Sequence, residues 1–230
     1  MRFTDTMLRG SAIPLLLTLL LLSGCGNNPA GPVDHHRPAV GTRYVYDVRL
    51  QGPDPGEDTT FTQTAEVTHS EEWLGFDDIH HIREVAPAGD IYLLSLFENV
   101  RYLENGNLRY IIPVGIPVGD TFDIFDYPFG DGETQRSKLE GEDGFNTHVT
   151  TYEGEEELEI DGTPYTARVV YDSLFAFSDG HPGLAIIYKI TASYVPELGA
   201  LARVRIEVWS GNDPDDLFVT ATYTLRRIEE

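Results

Sequence analysis

The feature that most constrains the fold is a hydrophobic pattern with a period of two, which runs from Gly41 almost to the C-terminus. This period puts alternate side chains on opposite faces of a β-strand, whereas an amphipathic helix needs a period near 3.6. The longest such row of apolar residues is Leu184, Ile186, Tyr188, Ile190, Ala192 and Tyr194. The pattern therefore predicts an all-β domain with little helix.

Turn residues indicate two tight hairpins, at Asn105-Gly106 and at Asp161-Gly162. A type I′ turn needs a positive φ at both central residues, and these dipeptides tolerate it best. A two-residue loop also determines the register of its strands. The expected cross-strand pairs are Leu103 with Leu108, Tyr102 with Arg109, Leu158 with Tyr165, and Glu155 with Arg168.

About ten to twelve strands follow one another, mostly as chain neighbours, which favours an antiparallel meander. One face of the sheet is apolar and must be covered. Since the strands at 167–177 and 184–195 are long, we expect the sheet to curve into a half-barrel or barrel. The segment 91–97 is apolar on both faces and is predicted to be a central strand.

The N-terminus has the dimensions of a signal peptide. Arg2 and Arg9 precede an apolar run of 11 residues at 12–22. A bilayer-spanning helix needs roughly 20 such residues, so this run is too short to span a membrane. The pattern predicts that residues 1–24 are a signal peptide.

The residues Leu22-Ser23-Gly24-Cys25 resemble the bacterial lipobox. The resemblance implies cleavage between Gly24 and Cys25 and a diacylglyceryl thioether on the Cys25 sulfur; an ordinary secretory signal is the alternative. Two or more acyl chains hold a protein stably on a membrane. Gly26 follows the cysteine, where an Asp resembles an inner-membrane retention signal. We therefore expect a lipid-anchored protein of the cell envelope, in the outer membrane and facing the periplasm or the cell surface.

Residues 25–40 are rich in proline and poor in apolar residues, which is typical of a flexible tether. The single β-domain is then expected at 41–230. The adjacent His35 and His36 lie in the tether and supply at most two metal ligands.

Composition excludes two classes of function. The chain has 16 Lys and Arg against 38 Asp and Glu, for a net charge of −22. Nucleic-acid binding depends on basic residues that displace counterions, so we predict no nucleic-acid partner. The single cysteine excludes an internal disulfide framework and a Cys-rich zinc site.

Four short motifs resemble a group of bacterial lipoproteins of unassigned function. They are the opening strand GTRYVYDV, a middle element with Pro117, Gly119 and Phe122, a hairpin with Gly162, Tyr165 and Ala167, and a late element with Tyr194, Pro196 and Gly199. The resemblance implies an antiparallel meander curved like the half-barrels of the lipoprotein-carrier (LolA/LolB-like) group. It implies no catalytic residues.

The sequence contains only weak indications of a metal-binding site. Asp77-Asp78-Ile79-His80-His81 is the densest set of metal-ligand residues, but a strand places Asp78 and His80 on one face and His81 on the other. The histidines that could complete a site, namely His69, His148 and His181, cannot be placed from the sequence. Two acidic loops, 131–133 and 142–144, lack the spacing of a calcium-binding EF-hand. We predict no metal and no cofactor.

No nucleophile elbow or nucleotide-binding loop is present in the sequence, so we predict a non-enzymatic protein. The expected function is a membrane-anchored scaffold or binding module, for a hydrophobic or amphiphilic ligand or for an envelope partner. The candidate ligand groove consists of Tyr44, Tyr46, Tyr188 and Tyr194. The alternative is a metal- or carboxylate-dependent hydrolase of the cell envelope, which needs His80 or His81 beside further ligands.

Overall fold

The computed structural model describes residues 36–54, 56, 58–73, 75–86, 97–103, 108–113, 122–127, 134–141, 144–178, 185–211, 213 and 215–230. Twelve strands lie in these ranges. They are β1 Arg43–Gln51, β2 Thr59–Trp73, β3 Phe76–Ala86, β4 Asn99–Tyr102, β5 Leu108–Pro113, β6 Phe122–Tyr127, β7 Thr134–Gly141, β8 Gly144–Ile160, β9 Thr163–Ser178, β10 Ala185–Val195, β11 Ala200–Ser210 and β12 Leu217–Glu229.

The strands form a single sheet in the order β6-β5-β4-β3-β2-β1-β12-β11-β10-β9-β8-β7. All chain neighbours pair antiparallel except β6 and β7, and β1 also pairs with β12, which joins the two halves of the meander. Strands β6 and β7 are the two edges, and the described sheet is not closed into a barrel. The prediction of an all-β meander curved into a half-barrel is confirmed.

In the described residues, 3₁₀ conformation occurs at Pro196–Leu198 between β10 and β11 and at Phe97, and no α-helix is present. None of the described segments is a helix with the length and apolar character needed to cross a bilayer.

The inner face of the curved sheet carries the hydrophobic core, and the residues that alternate with it face outward. In β12, for example, Ala221, Tyr223 and Leu225 are buried, while Thr224 and Arg226 are exposed. Two hydroxyls connect the sheet halves: Tyr46 donates to the carbonyl of Leu201 and Tyr102 to that of Gly199. The sheet thus folds over its own apolar face, which is how a helix-poor chain can cover one.

The hairpin at Asp161-Gly162 is confirmed. Asp161 and Gly162 have positive φ angles of 50° and 76°, and they are the only residues between the paired Ile160 and Thr163. Leu158 lies opposite Tyr165, and Glu155 lies opposite Arg168, as a two-residue turn requires.

The register predicted between β4 and β5 is wrong by one residue. Tyr102 pairs with Leu108, not with Arg109, and Leu103 does not pair with Leu108. In the observed register the buried Tyr102 lies opposite the buried Leu108, whereas Arg109 lies over the ring of Phe76 outside the core. A one-residue shift would place the buried Tyr102 opposite Arg109 instead of the buried Leu108. The burial of apolar side chains therefore outweighs the local preference for a two-residue turn.

Several sequence predictions fall outside the described residues. They concern Gly24 and Cys25, His35, residues 91–96 of the expected central strand, the Asn105-Gly106 turn, Pro117 and Gly119, the loops 131–133 and 142–143, and His181. Phe97, the last residue of the expected strand, is described: it is buried in the core, but its conformation is 3₁₀ and β4 begins only at Asn99.

The segment before β1 contacts the domain from His36 onward. The backbone N–H of His36 donates to the carbonyl of Pro196 at 2.9 Å, and Arg37 forms an ion pair with Asp78 at 2.8 Å. The end of the expected tether therefore rests on the 3₁₀ turn.

Candidate functional site

The tyrosines expected to form a groove lie inside the core. Tyr44, Tyr46 and Tyr194 are each at most 4% exposed and line one cavity together with Tyr102 and Tyr110. Tyr188 is partly buried and packs against the same core outside the cavity lining. Burial raises the pKa of all five cavity tyrosines above its usual value near 10.

This cavity is small. Its volume is about 30 Å³, which corresponds to a single water molecule. Pockets for drug-sized ligands are typically about 300–1,000 Å³. In this conformation the tyrosine cluster is part of a filled core, so its rings hold the two halves of the sheet together.

A larger open groove of about 610 Å³ crosses four strands, β2, β1, β12 and β11. Eight of its ten lining residues are polar or charged, and the other two are Val48 and Phe61. The eight are Asp47, Arg49, Gln51, Thr60, Thr62, Arg205, Thr222 and Thr224. Sequence reasoning missed this groove because it depends on the pairing of β1 with β12, which are at opposite ends of the chain. The alternating threonines of β2 and β12 are the sequence feature that could have indicated this groove.

A second cluster joins β2 to β3 on the outer face. His69 and Glu71 on β2 meet His81 on β3, and the three ligand atoms lie within 4.8 Å of one another. The Nε2 atom of His81 is 3.4 Å from a carboxylate oxygen of Glu71, and that of His69 is 3.7 Å from the same oxygen. The two imidazole rings stack with centroids 4.2 Å apart and an angle of 8° between their planes.

The neighbouring His80 faces the other way, as predicted. Its ring contacts Tyr102 of the core edge-on, with the centroids 5.3 Å apart, and its Nε2 is 3.3 Å from Asp78, which was expected on the same face. Burial lowers the pKa of His80 and of His81, and for His81 the neighbouring His69 adds to this effect. The structure thus places two further potential metal ligands, His69 and Glu71, beside His81. The hydrolase alternative required such ligands beside His80 or His81.

A β-bulge explains why the sequence did not reveal this cluster. Val67 pairs with Ile82, but two residues later His69 pairs with His81 rather than with His80. The register shift leaves Thr68 as an extra residue, so His69 lies on the face opposite to Val67 although strict alternation would put them together. The bulge is therefore what aligns the two histidines.

Another buried polar pair, between His148 of β8 and Asp172 of β9, lies elsewhere. The side chains are each 2% exposed, and Nε2 of His148 contacts Oδ1 of Asp172. Asp172 is two residues beyond the core residue Val170 in β9 and so lies on the same, inward face of the sheet. His148 is thus not a ligand of the His69 cluster.

No family model and no curated protein matches this sequence. Solved structures similar to it include a candidate lipoprotein from Parabacteroides distasonis, with 12% identity, a TM-score of 0.48 and coverage of 86% of this chain and 99% of that one. A candidate exported protein with a YmcC-like fold from Bacteroides fragilis has 10% identity, a TM-score of 0.40 and coverage of 86% and 100%. A LolA superfamily protein from Nitrosomonas europaea has 9% identity, a TM-score of 0.23 and coverage of 86% and 89%.

The similar structures thus include the two kinds of protein that the sequence motifs resemble.

Proposed function

We propose that this chain is a lipid-anchored protein of the bacterial cell envelope whose β-domain is a non-enzymatic scaffold or binding module. Residues 1–24 act as the signal peptide, Cys25 carries the lipid, and residues 25–40 lead to the domain. The support is the lipobox-like sequence at the only cysteine of the chain, directly after an apolar run of signal-peptide length. Gly26 favours the outer membrane, with the domain facing the periplasm or the cell surface.

Between a hydrophobic ligand inside the sheet and an envelope partner outside it, the geometry favours the partner. The observation that carries this choice is the size of the tyrosine-lined cavity, about 30 Å³. A diacyl or sterol-like ligand would need a pocket of roughly 300 Å³ or more. The open polar groove over β1, β2, β11 and β12 offers accessible surface instead.

The anchor is tested in cells that express the full chain. Cys25→Ser should abolish labelling by a palmitate analogue and move the domain from the membrane fraction to the soluble fraction. Ser23→Ala, which keeps a small residue in the lipobox-like sequence, should leave both properties unchanged. Membrane association that persists in Cys25→Ser would refute lipid anchoring at this residue.

The binding mode is tested by native mass spectrometry of the protein purified from its own membrane, together with crosslinking in cells. We expect a crosslinked envelope protein and no co-purified amphiphile. A stoichiometric amphiphile in the spectrum would show instead that the sheet opens to admit a hydrophobic ligand.

A further inference from the structure

The hydrogen bonds around His81 determine which of its nitrogens carries the proton. The Asn99 side-chain amide donates to the carbonyl of Ile111 at 3.0 Å, so its Oδ1 atom faces His81 as an acceptor. Nδ1 of His81, 2.9 Å from that oxygen, must therefore be the N–H donor. The lone pair of the neutral ring is left on Nε2, and this atom is buried without a hydrogen-bond partner in the described residues.

The same reasoning applies to His69. The hydroxyl of Thr68 donates to the backbone carbonyl of His81 at 3.1 Å, which uses its single hydrogen. Its oxygen can then only accept from Nδ1 of His69, 3.0 Å away. The lone pair of His69 is thus also on Nε2, on the side of Glu71.

Three acceptors consequently lie within 4.8 Å of one another with no donor between them: the Nε2 atoms of the two imidazoles and the carboxylate of Glu71. The distances of 3.4 and 3.7 Å exceed the 2.9–3.0 Å typical of a direct N–H···O hydrogen bond. Such a group is stabilised by a cation placed among its members. The ring of Trp73 also packs edge-on against His81, with the ring centroids 5.4 Å apart, and helps to hold the buried imidazole in place.

We propose that His69, Glu71 and His81 bind a divalent transition-metal ion of the Zn²⁺ class. Two imidazole nitrogens and one carboxylate oxygen form a ligand set suited to Zn²⁺, whereas Ca²⁺ and Mg²⁺ prefer oxygen ligands throughout. Three protein ligands leave a fourth tetrahedral position for water or for a group of a partner.

The site combines one rigid ligand with two adjustable ones. The side chain of His81 is 4% exposed and is oriented through Asn99, the arrangement by which proteins commonly orient metal-binding histidines. His69 and Glu71 are about half exposed, at 51% and 50%. A tetrahedral zinc ion with bonds of about 2.0–2.1 Å needs its ligands about 3.3 Å apart. Because the two imidazole planes are nearly parallel, the His69 ring must turn out of its stack with His81 for both Nε2 lone pairs to point at one ion. The exposure of His69 and Glu71 leaves both side chains free to make this adjustment around the fixed His81.

The test uses the full chain in detergent, first stripped with a chelator and then titrated with Zn²⁺ in a calorimeter. We expect one ion per chain, a dissociation constant of about 1 μM or tighter, and a higher unfolding temperature with Zn²⁺ than without it. Millimolar Ca²⁺ should neither compete with Zn²⁺ nor raise the unfolding temperature. Imidazole ¹⁵N shifts of the stripped protein should show His69 and His81 protonated on Nδ1.

His69→Gln and Glu71→Gln alter the exposed ligands and leave the buried His81 in place. Each should weaken Zn²⁺ binding about tenfold or more while the unfolding temperature of the stripped protein stays near that of the parent. Glu72→Gln removes the same charge at the adjacent exposed position, and His36→Gln removes a histidine outside the cluster; both should bind as the parent does.

The proposal is overturned by the absence of saturable binding, or by affinity in both ligand variants within threefold of the parent. It is equally overturned if His36→Gln abolishes binding, because the ion would then belong to the N-terminal histidines. None of these results depends on lipidation, so the metal site and the proposed anchor succeed or fail separately.

Discussion

The hydroxyl of Tyr102 in β4 donates a 2.9 Å hydrogen bond to the backbone carbonyl of Gly199, which lies 97 residues further along the chain. Tyr46 makes a similar bond to Leu201, only two residues beyond. These hydroxyls attach the β1–β4 half of the sheet to the start of β11 across the core. The curvature of the sheet is therefore stabilised by polar contacts within an otherwise apolar interior.

Tyr102→Phe should destabilise the domain by about 1–3 kcal/mol, because it leaves a buried carbonyl without its donor while the ring stays packed. Urea unfolding followed by circular dichroism measures this. The matched control is Tyr165→Phe, whose hydroxyl makes no hydrogen bond to the described part of the chain; it should change the unfolding free energy by less than about 0.5 kcal/mol. Equal losses in the two variants would contradict the role of the Tyr102 bond.

Gly199→Ala should destabilise the domain by about 1–2 kcal/mol or more and release the segment that begins at His36. Gly199 has a φ of 59°, and a Cβ atom there would be 2.1 Å from the carbonyl oxygen of His36. Hydrogen exchange at the amide of His36, which is bonded to Pro196, reports the release.

The control for that substitution is Gly162→Ala, where φ is 76° but nothing lies within 4 Å of the added carbon. It should be destabilising through the backbone conformation alone and should leave the exchange at His36 unchanged. Faster exchange at His36 in both variants would mean that general loss of stability, rather than the contact at Gly199, frees the segment.

Asp172→Ala should cost about 1–3 kcal/mol, since it leaves the buried His148 without its carboxylate partner. The double variant His148→Leu with Asp172→Leu should recover most of this loss, because it removes both polar groups. Glu229→Ala breaks an exposed pair with Arg227 and should cost less than about 1 kcal/mol. A loss for Asp172→Ala as small as that for Glu229→Ala would exclude a structural role for the buried pair.

The stability of the domain should fall as the pH rises above about 10. Burial raises the pKa of Tyr44, Tyr46, Tyr102, Tyr110 and Tyr194 in the folded state, while the unfolded tyrosines ionise near 10. Above that pH the unfolded state loses protons that the folded state keeps, so the free energy of unfolding decreases; below it these groups contribute no pH dependence.

Absorbance of tyrosinate measured together with circular dichroism tests this expectation. Some of the 12 tyrosines should titrate while the fold is intact, and the buried ones only as it unfolds. If all of them ionised reversibly near pH 10 with the sheet intact, the core could not be closed as described.

Local patterns predicted much of the architecture. Alternation identified the strands and their buried faces, and Asp161-Gly162 predicted both its turn and the pairing of Leu158 with Tyr165. The same alternation placed His80 and His81 on opposite faces. These features depend on the geometry of a few consecutive residues, which the sequence specifies directly.

Other features were decided only in the tertiary structure. The pairing of Tyr102 with Leu108, the bulge at Thr68 that brings His69 to His81, and the pairing of β1 with β12 all depend on residues distant from the turn or strand concerned. Whether the tyrosines would enclose a ligand or fill the core was likewise open from the sequence. The register of β4 with β5 and the filling of the core follow from the burial of apolar side chains, since the free energy of that packing outweighs local turn preferences.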